Sequence, residues 1–308
     1  MYIVDTHCDT LWARAKGENQ FTNQSAPEVT PERLRAGGVT LQVCALFAGP
    51  AGPSGEGENH PEAVAKAELA ALGQLTSAGI RKVDSPFDAV EGESALMLSI
   101  EGGEIIGDSL AQLQHYRALG VRLFGLVWNH ENNIAHPHCR DGQHPLKPFG
   151  RDVVKELARL GMAADVAHLG EGGFWDLIFH AEKPPMTSHS CCRKLRNHTR
   201  NLTDDQIRAL IDCGGWIGIN FYTDFLTDAA TCDTNTVADH IAHIADLGGI
   251  AHVGFGSDFD GIDSAPTDLQ HPGQMPNLLE TLAKRGFSQA EIEGIAGGNF
   301  LRYFKHFA

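Results

Sequence analysis

The chain has 308 residues, 42% of them hydrophobic, with 39 acidic against 24 basic side chains and a net charge of −15. That balance argues against nucleic acid and anionic membrane surface as partners, and no apolar run reaches the roughly 18 residues that a membrane span needs. Seven cysteines, two of them adjacent at Cys191-Cys192, oppose a disulfide framework, and no basic leader precedes an apolar stretch, so the expected setting is the reducing cytoplasm.

The predicted elements open with a short strand, YIVDTH at 2–7, and a second, VTLQVCALF, at 39–47. The Gly/Pro-rich stretch 49–62 follows as a long loop, and 61–79 reads as a helix. A third strand, ALMLSIE at 95–101, precedes a helix over 109–120; a fourth, VRLFGLVW at 121–128, precedes a helix over 149–161. Both helices end in glycine, a C-terminal cap signal. MAADVAH at 162–168 and PMTSHS at 185–190 are the fifth and sixth strands. A helix over 202–215 starts from a Thr203 cap and ends in Gly214-Gly215. WIGINF at 216–221 and HVGFGSD at 252–258 complete eight short strands, apolar on both faces as buried parallel strands are. Strand alternating with helix eight times predicts an α/β fold, a (β/α)8 TIM barrel over residues 1–308 as one domain. A doubly wound open sheet is disfavoured, since no G-x-G-x-x-G follows the first strand.

In such a barrel the chemistry gathers at the C-terminal ends of the strands. There the sequence places His7 and Asp9 at the end of strand 1, Glu101 at the end of strand 3, His168 at the end of strand 5, His189 at the end of strand 6 and Asp258 at the end of strand 8. Residues i and i+2 of a strand face the same way, so His7 and Asp9 can meet at one point. Three histidines and two carboxylates exceed the needs of one tetrahedral zinc with an open position. They suit a pair of divalent cations about 3.5–4 Å apart, with Glu101 as the bridge, His7 and Asp9 on one ion, and His168 and His189 on the other. Glu104 is the alternative to Glu101 as the ligand. His136 and His138 lie in a loop and read as solvated, His240 and His243 lie on a helix face and read as structural, and Cys191-Cys192 read as small packing residues.

This set of motifs resembles the membrane (renal) dipeptidase family of zinc peptidases, a branch of the amidohydrolase-like barrels. The matching stretches are DTHCDTL at the start, SIEGGE at 99–104, DVAHLG at 165–170, SHS at 188–190, HTRNLTDDQI at 198–207, GSDFDGI at 256–262 and GGNFLRYF at 297–304. The resemblance implies two zinc ions per chain, hydrolysis of a small dipeptide substrate, tolerance for a D-residue at its C-terminal position, and a homodimer. It carries the family's metal ligands onto His7, Asp9, Glu101, His168 and His189. It makes Arg200 the residue that holds the substrate's carboxylate, a task suited to a guanidinium fork. It makes Asp258 the proton shuttle between water and leaving amine. At the end of strand 4, where better-known members have a histidine that contacts the reacting carbonyl, this chain has Trp128, with His130 two residues on. Trp12, Trp128 and Tyr222 are expected to line the substrate pocket. An amidohydrolase acting on another small amide, or a metal-binding barrel without catalysis, are the alternative readings.

Overall fold

A computed structural model describes residues 1–16, 27–47, 61–140 and 142–308; of the loop expected over 49–62, residues 49–60 lie outside them, and Pro61 begins the helix Pro61–Ser77. Eight parallel strands run β1 (Ile3–Asp5), β2 (Val39–Phe47), β3 (Ala95–Glu101), β4 (Val121–Gly125), β5 (Ala163–Asp165), β6 (Met186–Ser190), β7 (Trp216–Ile219) and β8 (Val253–Phe255). Each pairs with its neighbour in sequence, β8 returns to β1, and β2 joins β3 in unbroken register from Leu41↔Ala95 to Phe47↔Glu101. The sheet is therefore a closed (β/α)8 barrel. A further two-residue strand, Arg81–Lys82, attaches to the start of β3 and has no counterpart in the sequence reading.

The interior is filled by alternate residues of the strands. Val4, Leu41, Val43, Met97, Leu123, Ala163, Met186 and Trp216 form one buried cluster, closed from below by Phe300, Tyr303, Phe304 and Phe307 of the C-terminal segment. Each Val, Leu, Met or Phe among them removed from water contributes roughly 1.5–3 kcal/mol. The Trp216 indole fits because β8 offers Gly254: a Cβ there would stand 2.2 Å from the ring. The same alternation carries upward, so that Phe47 on β2 and Glu101 on β3 reach the mouth of the barrel.

Helix ends follow the sequence signals. Thr203 and Gln206 make a reciprocal capping box at the start of Asp204–Asp212, and Gly161 closes Pro148–Leu160 in the left-handed conformation. Several strands are shorter than expected: β4 stops at Gly125 rather than 128, β5 at Asp165 rather than 168, and β8 at Phe255 rather than 258. The reason is chemical. At the mouth, buried side chains replace the backbone ladder as acceptors. Asp5, at the end of β1, accepts from Ser257 N at 2.8 Å and from His7 N at 3.3 Å. Asp165, at the end of β5, accepts in the same way from Ser188 N at 2.9 Å and Ala167 N at 3.0 Å. Each carboxylate thereby turns its own chain out of the barrel wall and ties it to a neighbouring strand.

Candidate metal centre

Those two turns deliver the histidines. His7 lies two residues past Asp5, and His168 three past Asp165. With Asp9, Glu101, His189 and Asp258 they form three overlapping groups: His7–Asp9–Glu101, Glu101–His168–His189 and His7–His189–Asp258. Within each group the potential ligand atoms lie no more than 4.8 Å apart. Glu101 belongs to two groups and faces both ways. Its Oε1 is 2.8 Å from His168 Nε2 and 3.4 Å from His189 Nε2, and its Oε2 is 3.6 Å from His7 Nε2. His7 Nε2 is also 3.6 Å from Asp9 and 3.7 Å from Asp258, and its ring stacks on His189 with centroids 3.7 Å apart.

The hydrogen bonds behind the ligand atoms set their tautomers. Nδ1 of His189 lies 2.7 Å from Ser188 Oγ, whose own proton goes to Asp165. Nδ1 of His168 lies 3.0 Å from Asn129 Oδ1, which can only accept. Both rings therefore carry their hydrogen on Nδ1 and turn a lone pair on Nε2 toward the centre. These two Nε2 atoms are 3.2 Å apart, with the Glu101 carboxylate beside them. Lone pairs so placed repel unless a cation stands among them. His7 Nε2 and Asp9 Oδ1 are buried and lack a hydrogen-bond partner, a costly condition that a cation removes. The donor set, neutral imidazole and carboxylate, fits zinc or a similar divalent ion.

The electrostatics agree. Burial, then the neighbouring Glu101, drives the Asp9 carboxyl well above its ordinary range. Burial pushes Asp258 up to about 6, with Glu101 adding to it and His7 opposing. Burial and the Arg200 charge bring His168 down to about 4, and burial with His7 holds His189 well below its usual value. Burial works against the charge of His7, yet Glu101 and Asp9 raise it well above normal. A bound cation would take the place of that proton.

Above the centre opens a cleft of about 230 Å3, walled by Phe47, Trp128, Tyr222, Phe225 and Ile262, with Asp9, Glu101, Asn129, His168, Asp258 and Asp263 at its polar end. Asp258 has a positive φ of 68° and accepts from Asn220 Nδ2 at 2.8 Å. Gly261 lets the following turn close on the acids, since a Cβ there would stand 2.0 Å from Asp9 Oδ2.

Other expected residues lie elsewhere. Trp12 does not line the cleft but packs edge-on behind Phe47, centroids 5.3 Å apart. His130 is exposed, its ring 5.5 Å from that of Trp128, because β4 has already ended and the expected strand alternation no longer applies. Arg200 is buried behind His189: Nη1 donates to Ser190 Oγ and Nη2 to the His189 carbonyl, both at 2.8 Å. It borders a second cavity of about 310 Å3, shared with His138, Arg193 and Thr199. Glu104 accepts from Asn132 and joins none of the three groups. His240 bonds the Cys192 amide and the Leu226 carbonyl. His138, expected to be solvated, is half-buried. It lies 3.2 Å from Asn129 Oδ1 and 2.9 Å from Thr199 Oγ1, and burial and Arg200 hold it neutral. Loop position hid this role, because its partners, Asn129 and Thr199, lie in the loops after β4 and β6.

Residues 1–308 match the family described as membrane dipeptidase, peptidase family M19. The chain belongs to that family. An uncharacterised dipeptidase of Schizosaccharomyces pombe is 37% identical over 226 residues, covering 71% of this chain and 54% of the relative. An uncharacterised protein of Klebsiella pneumoniae is 35% identical over 222 residues, covering 69% and 82%. The chain thus spans about half the length of the curated yeast relatives that it matches, 54% and 57%. A metallo peptidase of Rhodobacter sphaeroides, solved with a phosphinate mimic of L-Ala-D-Ala, superposes with a TM-score of 0.87 at 22% identity, covering 100% and 99% of the two chains. That likeness shows the shared barrel. The family implies a metal cofactor, and the three side-chain groups are where this chain offers ligands. Among the described residues no helix is long and apolar enough to cross a membrane.

Proposed function

We propose that the protein is a zinc-dependent dipeptidase acting through one barrel domain that holds two ions per chain. The observation that carries this reading is Glu101, shared by two ligand groups beside the unpartnered His7 Nε2 and Asp9 Oδ1. His7 and Asp9 would hold one ion, His168 and His189 the other, with Glu101 between them. When bound, such ions supply Lewis acidity toward a carbonyl oxygen and toward water.

The chain's own residues do the rest. Asp258 stands at the edge of the centre, 3.7 Å from His7 Nε2, where a carboxylate can act as general acid–base. It takes a proton from the attacking water and returns it to the leaving nitrogen as the C–N bond breaks. Asn220 fixes one of its oxygens, which leaves the other free to move the proton. Phe47, Trp128, Tyr222 and Phe225 hold the substrate's side chains and exclude water from the polar end. Arg200 is assigned to the substrate's carboxylate by the family motif, and among the described residues its Nε is buried without a hydrogen-bond partner. Its two Nη atoms already hold Ser190 and the His189 carbonyl, so a carboxylate would share the fork rather than own it. Acceptance of a C-terminal D-residue belongs to the same reading. So does a homodimer.

The test is a panel of L,L and L,D dipeptides, an N-acetylated dipeptide and a tripeptide, with zinc-loaded and chelator-stripped protein. Cleavage of dipeptides alone, lost on stripping and regained with zinc, is expected. Equal cleavage of the tripeptide would contradict a dipeptidase.

A further inference from the structure

Asn129 follows Trp128 in the loop after β4 and lines the cleft beside Glu101, His168 and Asp258. Its amide is anchored at one end. Oδ1 lies 3.0 Å from Nδ1 of His168 and 3.2 Å from Nε2 of His138. An amide oxygen accepts only, so both imidazoles donate to it, and Nδ1 of His138 then accepts from the Thr199 hydroxyl at 2.9 Å. With Nε2 of His168 offered to the centre as a ligand, its Nδ1 carries the hydrogen, and a flipped amide would set an NH2 group against that donor. The orientation is thereby fixed, and Nδ2 is the end left for the cleft. Among the described residues Nδ2 has no hydrogen-bond partner, and it is not among the buried unpartnered atoms.

The hydrolysis proposed above builds negative charge on the scissile carbonyl oxygen. A fixed N–H donor aimed at that charge, in a site partly closed to water, acts on the transition state more than on the ground state. We infer that Asn129 donates through Nδ2 to the carbonyl oxygen of the dipeptide while its Oδ1 holds His168 in place, so that one amide both orients a metal ligand and stabilises the oxyanion. His138 and Thr199 are positioning residues that keep the amide in this sense. The inference rests on the dipeptidase reading.

Two substitutions separate the functions of the amide. Asn129→Asp keeps an acceptor for His168 and removes the donor; Asn129→Ala removes both and adds no charge. With zinc-loaded protein, metal content per chain, kcat and KM for one dipeptide, and calorimetric affinity for a phosphinate dipeptide mimic are measured for each. Asn129→Asp is expected to keep its metal and its KM within a few-fold while kcat falls about 10²-fold or more, the usual effect of losing one such donor. Asn129→Ala, compared at full metal content, is expected to show a fall of similar size, which excludes added charge as the cause. Affinity for the tetrahedral mimic falls in both. If Asn129→Asp keeps wild-type kcat while Asn129→Ala loses metal, the residue only orients His168 and the inference is overturned. A zinc-loaded wild-type protein that cleaves no dipeptide overturns the dipeptidase reading, and this inference with it.

Discussion

The Ser188 hydroxyl lies 2.7 Å from Nδ1 of His189 and passes its own proton to Asp165. This relay fixes which nitrogen of His189 faces the centre, and partners of this kind typically govern ligand affinity by 10–100-fold. Ser188→Ala is therefore expected to weaken zinc binding by about that factor, read by competition against a chromophoric chelator. Unchanged affinity would mean that the ring is held by its stack on His7 instead.

Gly261 presses on the acids of the centre. A methyl group there would overlap Asp9 Oδ2 at 2.0 Å and crowd Asp258 Oδ1 at 2.7 Å. Gly261→Ala is expected to displace Asp9 and lower zinc occupancy, leaving the far-ultraviolet circular dichroism of the barrel intact. Full occupancy in this variant would place Asp9 outside the ligand set.

The sequence made some of this legible and hid the rest. His7, Asp9, Glu101, His168 and His189 could be read because each follows or ends a recognisable strand, and barrel geometry brings strand ends together. Asp5 and Asp165 could not be read as brackets, because their partners are distant in sequence: Ser257 follows β8 and Ser188 lies on β6. Nor could Asn129 and His138, whose roles depend on loop backbone that carries no periodic signal. Arg200 stands in a motif that the family resemblance carries over, yet its fork is turned to Ser190 and the His189 carbonyl, a geometry that no spacing encodes.

Arg200→Met should act on two levels. Loss of the cation is expected to raise KM for dipeptides far more than it changes metal content. Loss of two hydrogen bonds from a buried charged group should lower stability by roughly 1.5–3 kcal/mol or more, read by denaturant unfolding. A collapse of metal content at unchanged KM would make Arg200 a support for His189 rather than a substrate residue.

Glu28 and Asp260 exchange backbone bonds: Asp260 accepts from Glu28 N at 2.6 Å, and Glu28 accepts from Asp260 N at 2.8 Å. Burial raises Glu28 to about 8, with the Asp260 charge adding to it and the bond from Asp260 N opposing. The folded chain thus keeps a proton that the unfolded chain loses near pH ~4.3. Stability from this group is full below that value and is lost as pH rises through about 8. Relative to Glu28→Gln, the wild-type protein is expected to lose on the order of a few kcal/mol between about pH 5 and 9. Unfolding curves that differ by a constant across this range would contradict the assignment.

A two-ion centre bridged by Glu101 is tested by titrating zinc into stripped protein while bound metal and dipeptide cleavage are followed together. Activity is expected to rise with occupancy to about two ions per chain, and Glu101→Gln to lose both tight sites together. Saturation at a single ion with full activity, or two tight sites retained in Glu101→Gln, would contradict it.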